Sequence, residues 1–506
     1  MHVLKSVVSS LLLITSICWI GIQHLFLTPE SFTTFLISRH QKKLTSSRTN
    51  HHKAAETFDF LQLRRDWCRV KSKQIAWREI LGECMKRDYF KKDKRFATNP
   101  QLSQVSQVLI KSAGEHTSLR IDTFNNYGMS KTFGGDSIRV IFHGPETISA
   151  SVFDLQNGSY DAIALLRTPG FYRVQVLLEY TLCNGIKEPQ TEWYVNAHCA
   201  SSKNNNTRKL IQADTQSKMN DYIHEEISPG ILIEIPKPNI DLTMLPEILT
   251  KINCGFKCKS VWDGHGSWRK NEGAVGVGDG GDGWQWKETI PTIPKMKAKN
   301  RTIGNRNHST LWIYGDSISY YFYKRLKKTS LCTDVFQSCN NTYNWIYPKK
   351  LYEMRHFCND IDVDPNRIVS YFNQVVQQPQ MDEHSVLIFN LGAHFVKNTS
   401  FRKYRKIINR LLETLKTFQG HVIWKSTTAI HNQDIRVMGA FRRYLTSQRV
   451  ELFNAYANSM ICTQGHHLLD IYPLTASFPS GTKDGVHYHR NAQKPMEEML
   501  TEYFSM

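Results

Sequence analysis

The pattern that most restricts the fold lies in the last two hundred residues. Four short apolar runs, "L-W-I-Y" from Leu311, "S-V-L-I-F-N-L" from Ser385, "H-V-I-W" from His421 and "R-V-E-L-F" from Arg449, read as buried strands separated by longer segments. Within those segments Phe401, Tyr404, Ile407, Ile408, Leu411, Leu412, Leu415 and Phe418 keep helical spacing, and Ile435, Met438, Phe441, Tyr444 and Leu445 repeat it. Strands alternating with helices fold as a parallel sheet flanked by helices. No internal repeat of solenoid length is evident.

A different period precedes this block. From about Ser118 to Ala197 the runs "S-I-R-V-I-F", "I-S-A-S-V-F-D-L", "S-Y-D-A-I-A-L-L" and "F-Y-R-V-Q-V-L-L-E-Y" alternate every second residue between Gly, Pro and Asn-Gly turns, the pattern of an antiparallel sandwich. "F-G-G-D" at Phe133 to Asp136, "D-L-Q-N-G-S-Y" at Asp154 to Tyr160 and "P-G-F-Y-R-V-Q-V" from Pro169 resemble an immunoglobulin-like repeat of the filamin type. Such a module serves equally as spacer or as ligand-binding surface. The glycine run from Gly273 to Gly283 reads as linker. With no apolar strand before it and no Lys-Ser/Thr or amphipathic helix after it, it does not form a phosphate cradle.

A chain of 506 residues exceeds one ordinary domain. Its first thirty residues carry a secretory-pathway segment, Lys5 followed by an uncharged run from Val7 to Ile22. The run is long enough for either a cleaved signal or a single membrane anchor; the poor cleavage site around Ser16-Ile17-Cys18 and the interfacial Trp19 and Phe26 favour the anchor. Ten cysteines follow, at 68, 84, 183, 199, 254, 258, 332, 339, 358 and 462, an even set that suits disulfides. Cys183 with Cys199 and Cys332 with Cys339 are expected local bridges. Cys254 and Cys258 have the spacing of half a zinc site, but no second pair completes it, so no metal is expected. Glycosylation sequons stand at Asn157, Asn205, Asn300, Asn307, Asn340 and Asn398.

The formal charge of +19 favours polyanionic partners. Leader, cysteines and sequons turn that preference from nucleic acid towards anionic glycans. Between Arg64 and Arg95 there are 12 basic and 5 acidic residues, which read as a solvated stem, although Trp67, Cys68, Trp77 and Cys84 indicate that its later part docks.

The chemistry concentrates at two places. "Y-G-D-S-I-S" sets Ser317 just after the first strand of the parallel block, with Gly315 allowing a tight turn and the Ser317 N–H able to face an oxyanion. Asp316 or Ser317 would also serve simply as a helix cap. "K-D-G-V-H-Y-H-R" near the C-terminus sets Asp484 three residues before His487, the pairing of a base with its orienting carboxylate; His489 is the competing base.

Gly-Asp-Ser early and Asp-x-x-His late resemble the GDSL/SGNH-like PC-esterase families, and with the preceding sandwich the order resembles the neurexophilin and PC-esterase domain (NXPE) family over roughly residues 118 to 506. The resemblance implies catalysis by Ser317, Asp484 and His487, and acyl-ester chemistry on secreted or surface glycoconjugates, including O-acetyl transfer. Extra oxyanion or substrate-binding groups are expected at Gly315, Asn390 and Gly392, the latter two from "F-N-L-G-A-H-F" with His394 beside them. The segment around "G-S-W" at Gly266 to Trp268 resembles the family's linker, but the glycine run interrupts it and a later linker cysteine is missing.

The expected organisation is a signal-anchor or signal peptide at 1–28, a basic stem at 29–100, an immunoglobulin/filamin-like β-sandwich at 101–225, a Cys- and Gly-containing linker at 226–300 and an SGNH-hydrolase-like α/β domain with a central parallel sheet at 301–506. The expected function is glycan O-acetyltransferase or O-acyl esterase in the Golgi membrane (type II) or secreted. No cofactor is required; an acyl donor such as acetyl-CoA enters as substrate. The acceptor is a glycan or glycoprotein, with anionic acceptors favoured by charge. The alternative is a non-catalytic, neurexophilin-like secreted ligand or adhesion protein that meets a cell-surface receptor through its sandwich.

Overall fold

The computed structural model describes residues 58–85, 93–188, 221–270, 283–290, 309–344, 364–431, 443–482, 484–488 and 490–504. The leader, the glycines before Gly283, the segment from Ile435 to Phe441, His489, the sequons at Asn205, Asn300 and Asn307, and Cys18, Cys199 and Cys358 lie outside them. Among the described residues no helix is long and apolar enough to cross a membrane.

Part of the basic segment is ordered. The first helix, α1 (Phe60–Lys73), starts where the Asp59 carboxylate accepts the Gln62 N–H at 3.0 Å. It buries Leu63, Trp67 and Val70, spaced along one face. Arg64 and Arg65 are exposed, but the later cations are engaged: Arg69 pairs with Asp161 (3.1 Å), Lys71 with Asp263 (3.0 Å) and Lys73 with Glu451 (2.7 Å). Cys68 bonds Cys254. A short α2 (Trp77–Leu81) follows, and Cys84 bonds Cys183, so the expected Cys183–Cys199 bridge does not form.

Next come β1 (Gln104–Leu109), β2 (His116–Asp122), β3 (Ser137–His143), β4 (Thr147–Ser149), β5 (Ser151–Asp154), β6 (Ser159–Leu165), β7 (Gly170–Tyr180), β8 (Glu225–Glu226) and β9 (Ile231–Ile235). They form two antiparallel sheets, one ordered β1-β2-β6-β5, the other containing β4-β3-β7-β8 with β9 also on β7. Leu119, Ile121, Tyr160 and Ala162 of the first sheet share one core with Val140, Phe142, Val174 and Val176 of the second. Period-two alternation is what lets each strand feed that core from one face.

The described residues of the segment expected to be a linker form regular elements. After α3 (Leu245–Lys251), β10 (Lys259–Trp262) joins the parallel sheet of the C-terminal half, while β11 (Gly266–Lys270) and β12 (Trp284–Glu288) form an antiparallel pair that extends the β4 edge. Cys258 bonds Cys462. Cys254 and Cys258 are therefore both spent in disulfides, and no metal-binding cluster occurs among the described residues.

The C-terminal half runs β13 (Thr310–Gly315), α4 (Ser317–Leu326), β14 (Ser338–Tyr343), α5 (Pro365–Val376), β15 (Val386–Phe389), α6 (Ala393–Asn398), α7 (Phe401–Leu415), β16 (His421–Lys425), α8 (Ser447–Thr463), β17 (His467–Leu469), α9 (Tyr472–Ala476) and α10 (Arg490–Phe504). Its six-stranded sheet has the order β10-β17-β16-β15-β13-β14, and every neighbouring pair is parallel. Both faces are buried. Trp312, Tyr314, Leu387 and Trp424 pack with α5, α7 and α8, whereas Leu311, Ile313, Ile388 and Ile423 pack with α4 and α10.

The run from Arg449 is a correction: it lies inside α8, and His467–Leu469 supplies the strand. Thr446 caps α8 by accepting the Arg449 N–H at 3.1 Å. Val450, Leu452, Phe453, Ala455, Tyr456 and Ala457 are all buried, so the helix is apolar on several sides and shows no 3.6-residue period.

Two imidazoles lie beside Trp67, the buried His116 at 6.4 Å and the half-buried His265 at 5.5 Å between ring centroids. Burial pushes His116 down to about 3 and His265 down to about 4. Both His116 ring nitrogens lack a hydrogen-bond partner among the described residues. Unfolding returns each ring to roughly 6.5. The unfolded chain then binds more protons, so stability is full above that pH and falls as pH drops, by up to ~1.4 kcal/mol per unit per histidine. His116→Phe is expected to flatten the decline of thermal midpoint between pH 7 and 4.5 relative to the parent chain; parallel profiles would contradict this.

Candidate active site

Ser317 opens α4 where β13 ends, at the carboxyl edge of the sheet. The capping duty falls on Asp316, whose extended backbone lets its carboxylate accept the Ile318 N–H at 3.1 Å. The Ser317 hydroxyl is thereby released for other work. Its partner is His487 Nε2, at 2.9 Å.

The histidine is delivered by a tight turn. Asp484 Oδ1 accepts the N–H groups of Val486 (3.0 Å) and His487 (2.8 Å), and Gly485 takes a left-handed φ of 86° that favours glycine. A bridge between Thr482 and Tyr488 closes the turn. Asp484 Oδ2 then lies 2.8 Å from His487 Nδ1. Burial pushes the Asp484 carboxyl up, but the hydrogen bonds from the His487 ring and from the two N–H groups outweigh it and hold the carboxyl below the ordinary range. An ionised Asp484 calls for the proton on Nδ1, which leaves Nε2 to accept from Ser317. Sequence position 317 is thus joined to 484 and 487 in one relay.

No family model and no curated protein matches the chain. Among solved structures it is similar to a Bacteroides fragilis protein assigned as an acylhydrolase, at 14% identity over 41% of this chain and 91% of that one, with a TM-score of 0.29. It is also similar to Est24, a carbohydrate acetylesterase from Sinorhizobium meliloti, at 12% identity over 39% and 98%, TM-score 0.29. A carbohydrate acetylesterase from Xanthomonas citri is similar at 11% identity over 81% of this chain and 75% of its own, TM-score 0.20. Likenesses this loose do not bear on fold or activity, which rest on the geometry itself.

Beneath Ser317, Asp316 is fully buried and faces Lys425 at the end of β16. Burial pushes the Asp316 carboxyl up, the nearby ammonium opposing it; burial brings Lys425 down to about 8. Gly392 seals this cluster. Its φ is 82°, and a Cβ there would stand 2.0 Å from Asp316 Oδ2. Gly392→Ala is therefore expected to displace the α4 cap and Ser317 with it, lowering any turnover of an activated acetyl ester that depends on Ser317 at least ~10²-fold, as small misplacements of reacting groups do. Steady-state kinetics on the folded variant checks this, and near-parental kcat would contradict it.

Three expected oxyanion groups divide. Asn390 is corrected: its amide donates to Lys425 O (2.7 Å) and Thr427 Oγ1 (3.2 Å), so it straps the strand ends together and has no hydrogen left for a substrate. Gly315 is held to glycine by space. It ends β13, and a Cβ there would meet Ser319 Oγ at 2.3 Å. Gly392, at the start of α6, remains placed beside the nucleophile's cap. His394 is only partly buried, on α6.

Asn344 and Lys425 escaped the sequence. Asn344 directly follows β14, donating its amide to Asn390 O at 2.6 Å and its backbone N–H to Gly315 O at 2.9 Å. The polar run "S-C-N-N-T-Y" does not read as a strand; as a sheet edge it needs no apolar pattern. For Lys425 the available signal was a charge directly after "H-V-I-W". Of the sequons, Asn157 is exposed on the β5–β6 turn, Asn340 is half-buried on β14, and Asn398 is buried, which does not suit a glycan-bearing side chain.

Proposed function

We propose that the chain is a secretory-pathway acyl-ester enzyme of glycans or glycoproteins, working through an acyl-serine. The observation that carries this is the continuous line of contacts from Ser317 Oγ to His487 (2.9 Å) and from His487 to Asp484 (2.8 Å). Ser317 Oγ attacks the acyl carbonyl as His487 Nε2 takes its proton. The tetrahedral intermediate collapses, His487 returns the proton to the departing atom, oxygen from an ester or sulfur from a thioester, and the acyl group stays on Ser317. A second hydroxyl, of water or of a sugar, gives its proton to His487, attacks the acyl-serine and frees Ser317. Water makes an esterase and a sugar an O-acetyltransferase. The Ser317 N–H at the start of α4 and the Gly392 N–H at the start of α6 are the oxyanion donors in this scheme.

The parallel sheet with the nucleophile after β13 supports an SGNH-like domain, and the two antiparallel sheets support an immunoglobulin-like sandwich, together the order of the NXPE family. Within this proposal the order of leader (1–28), basic stem (29–100), sandwich and esterase-like domain is kept, while the segment 226–300 is shared out, β9 going to the sandwich and β10 to the parallel sheet. The four disulfides among the described residues support an oxidising compartment, Golgi or extracellular. A donor such as acetyl-CoA would serve as substrate. A purely adhesive protein has no use for an imidazole aimed at Ser317.

The test is mass spectrometry of the purified lumenal chain after brief exposure to an activated acetyl ester and then to glycans, beside Ser317→Ala. An acetyl group on Ser317 that is absent from the variant is expected, and its discharge to glycan or to water assigns transferase or esterase. No adduct from any of several donors, in folded protein, overturns the proposal.

A further inference from the structure

The helix that carries the nucleophile also carries an exposed stripe that the proposed chemistry does not use. Ser317, Tyr321 and Lys324 recur at four and three residues along α4, so they share one face, and Lys328 continues it in the turn beyond. Tyr321 is 51% exposed, although a large aromatic gains most by burial. Its ring meets the His487 ring edge-on, with centroids 5.7 Å apart and planes at 84°. Lys324 and Lys328 are exposed and have no carboxylate partner among the described residues. The helix beneath is fixed: Arg325 pairs with Glu497, Tyr323 donates its hydroxyl to Cys339 O at 3.2 Å, and Cys339 bonds Cys332. The stripe is therefore a preformed surface beginning at the nucleophile.

We propose that this stripe is a glycan-binding track, in which a pyranose ring stacks on Tyr321 and a carboxylate or sulfate further along the same oligosaccharide pairs with Lys324 and Lys328. It rests on Ser317 being the acyl-bearing group. The apolar C–H face of a pyranose matches an exposed aromatic, while the hydroxyl edges stay wet. At 1.5 Å per residue the track places Lys324 about 10 Å and Lys328 about 16 Å beyond Ser317 along the axis, which suits an oligosaccharide better than a single sugar. The excess of cations on the chain as a whole is of the complementary sign.

Binding is measured by calorimetric titration of the full chain carrying Ser317→Ala, so that no turnover is needed. The probes are a sulfated lactosamine tetrasaccharide, a sialylated one and the unsubstituted one. Adding Tyr321→Ala is expected to weaken all three about tenfold. Adding Lys324→Gln with Lys328→Gln is expected to weaken only the acidic probes, about fivefold and less so at high salt, the better of the two identifying the anion. Unchanged affinity in Tyr321→Ala, equal effects of the lysine pair on neutral and acidic probes, or no binding of any probe overturns the track. Absence of acyl-serine in the parent chain, by contrast, counts against the nucleophile alone. Thermal midpoints close to the parent's verify that each variant is folded.

Discussion

Ser317→Ala will leave the protein folded and will lower kcat for acetyl-ester turnover by on the order of 10⁴-fold or more, the scale of removing a serine nucleophile. The change should be nearly silent in stability, costing less than about 1 kcal/mol, because the side chain is part-exposed and its hydrogen bond is to His487. Asp316, not Ser317, caps α4, so the helix keeps its start. A variant that loses activity together with several degrees of thermal midpoint would mean that Ser317 is structural.

Asp484→Asn is expected to come close behind, with kcat reduced about 10⁴-fold. The carboxylate does two jobs. Oδ1 holds the turn through the Val486 and His487 N–H groups, and Oδ2 holds the His487 ring. If the asparagine oxygen keeps the turn, its NH₂ faces Nδ1, which must then accept; the proton moves to Nε2 and the ring can no longer take one from Ser317. The fold should survive while the base is lost. Because Asp484 is held below the ordinary carboxylate range in the fold, its contribution to stability is present above that range and lost as pH falls through it. Asp484→Asn should therefore show a shallower loss of stability than the parent on acidification below about pH 4. Rates and melting curves across pH on both proteins check the two halves of this prediction, and an Asp484→Asn enzyme with near-parental kcat would contradict the assigned tautomer.

What the sequence disclosed depended on how each side chain meets its surroundings. Strands such as Ser137–His143 and the first half of Gly170–Tyr180 are buried on one face, so their period of two stood out; β13, β15 and β16 are buried on both, so they read as short apolar runs. α7 has a wet face and was legible to within three residues of its end, Phe418 against Leu415. α8 is covered on several sides, which erased its period and let "R-V-E-L-F" pass for a strand. Strand β14, at the sheet edge, was too polar to be seen.

The site followed the same logic. Ser317, Asp484 and His487 belong to short local motifs whose geometry is fixed by a strand end and a glycine turn, so spacing alone pointed to them. Asn390 belongs to a motif as well, but its role depends on Lys425 and Thr427, which are distant in sequence and adjacent only through β15–β16 pairing. The Cys84–Cys183 and Cys258–Cys462 bonds are equally invisible to spacing, each joining segments about a hundred residues or more apart.

The most direct test of the central claim needs no knowledge of substrate. The folded chain is treated with an activated alkylphosphonate ester, which forms a phosphorus–oxygen bond only with a serine whose proton can be removed, and the adduct is located by peptide mass spectrometry. One adduct, on Ser317, that disappears in Ser317→Ala and in His487→Ala is the predicted result. A chain that stays unlabelled, or that is labelled at Ser317 just as fast without His487, would contradict an activated Ser317–His487–Asp484 relay.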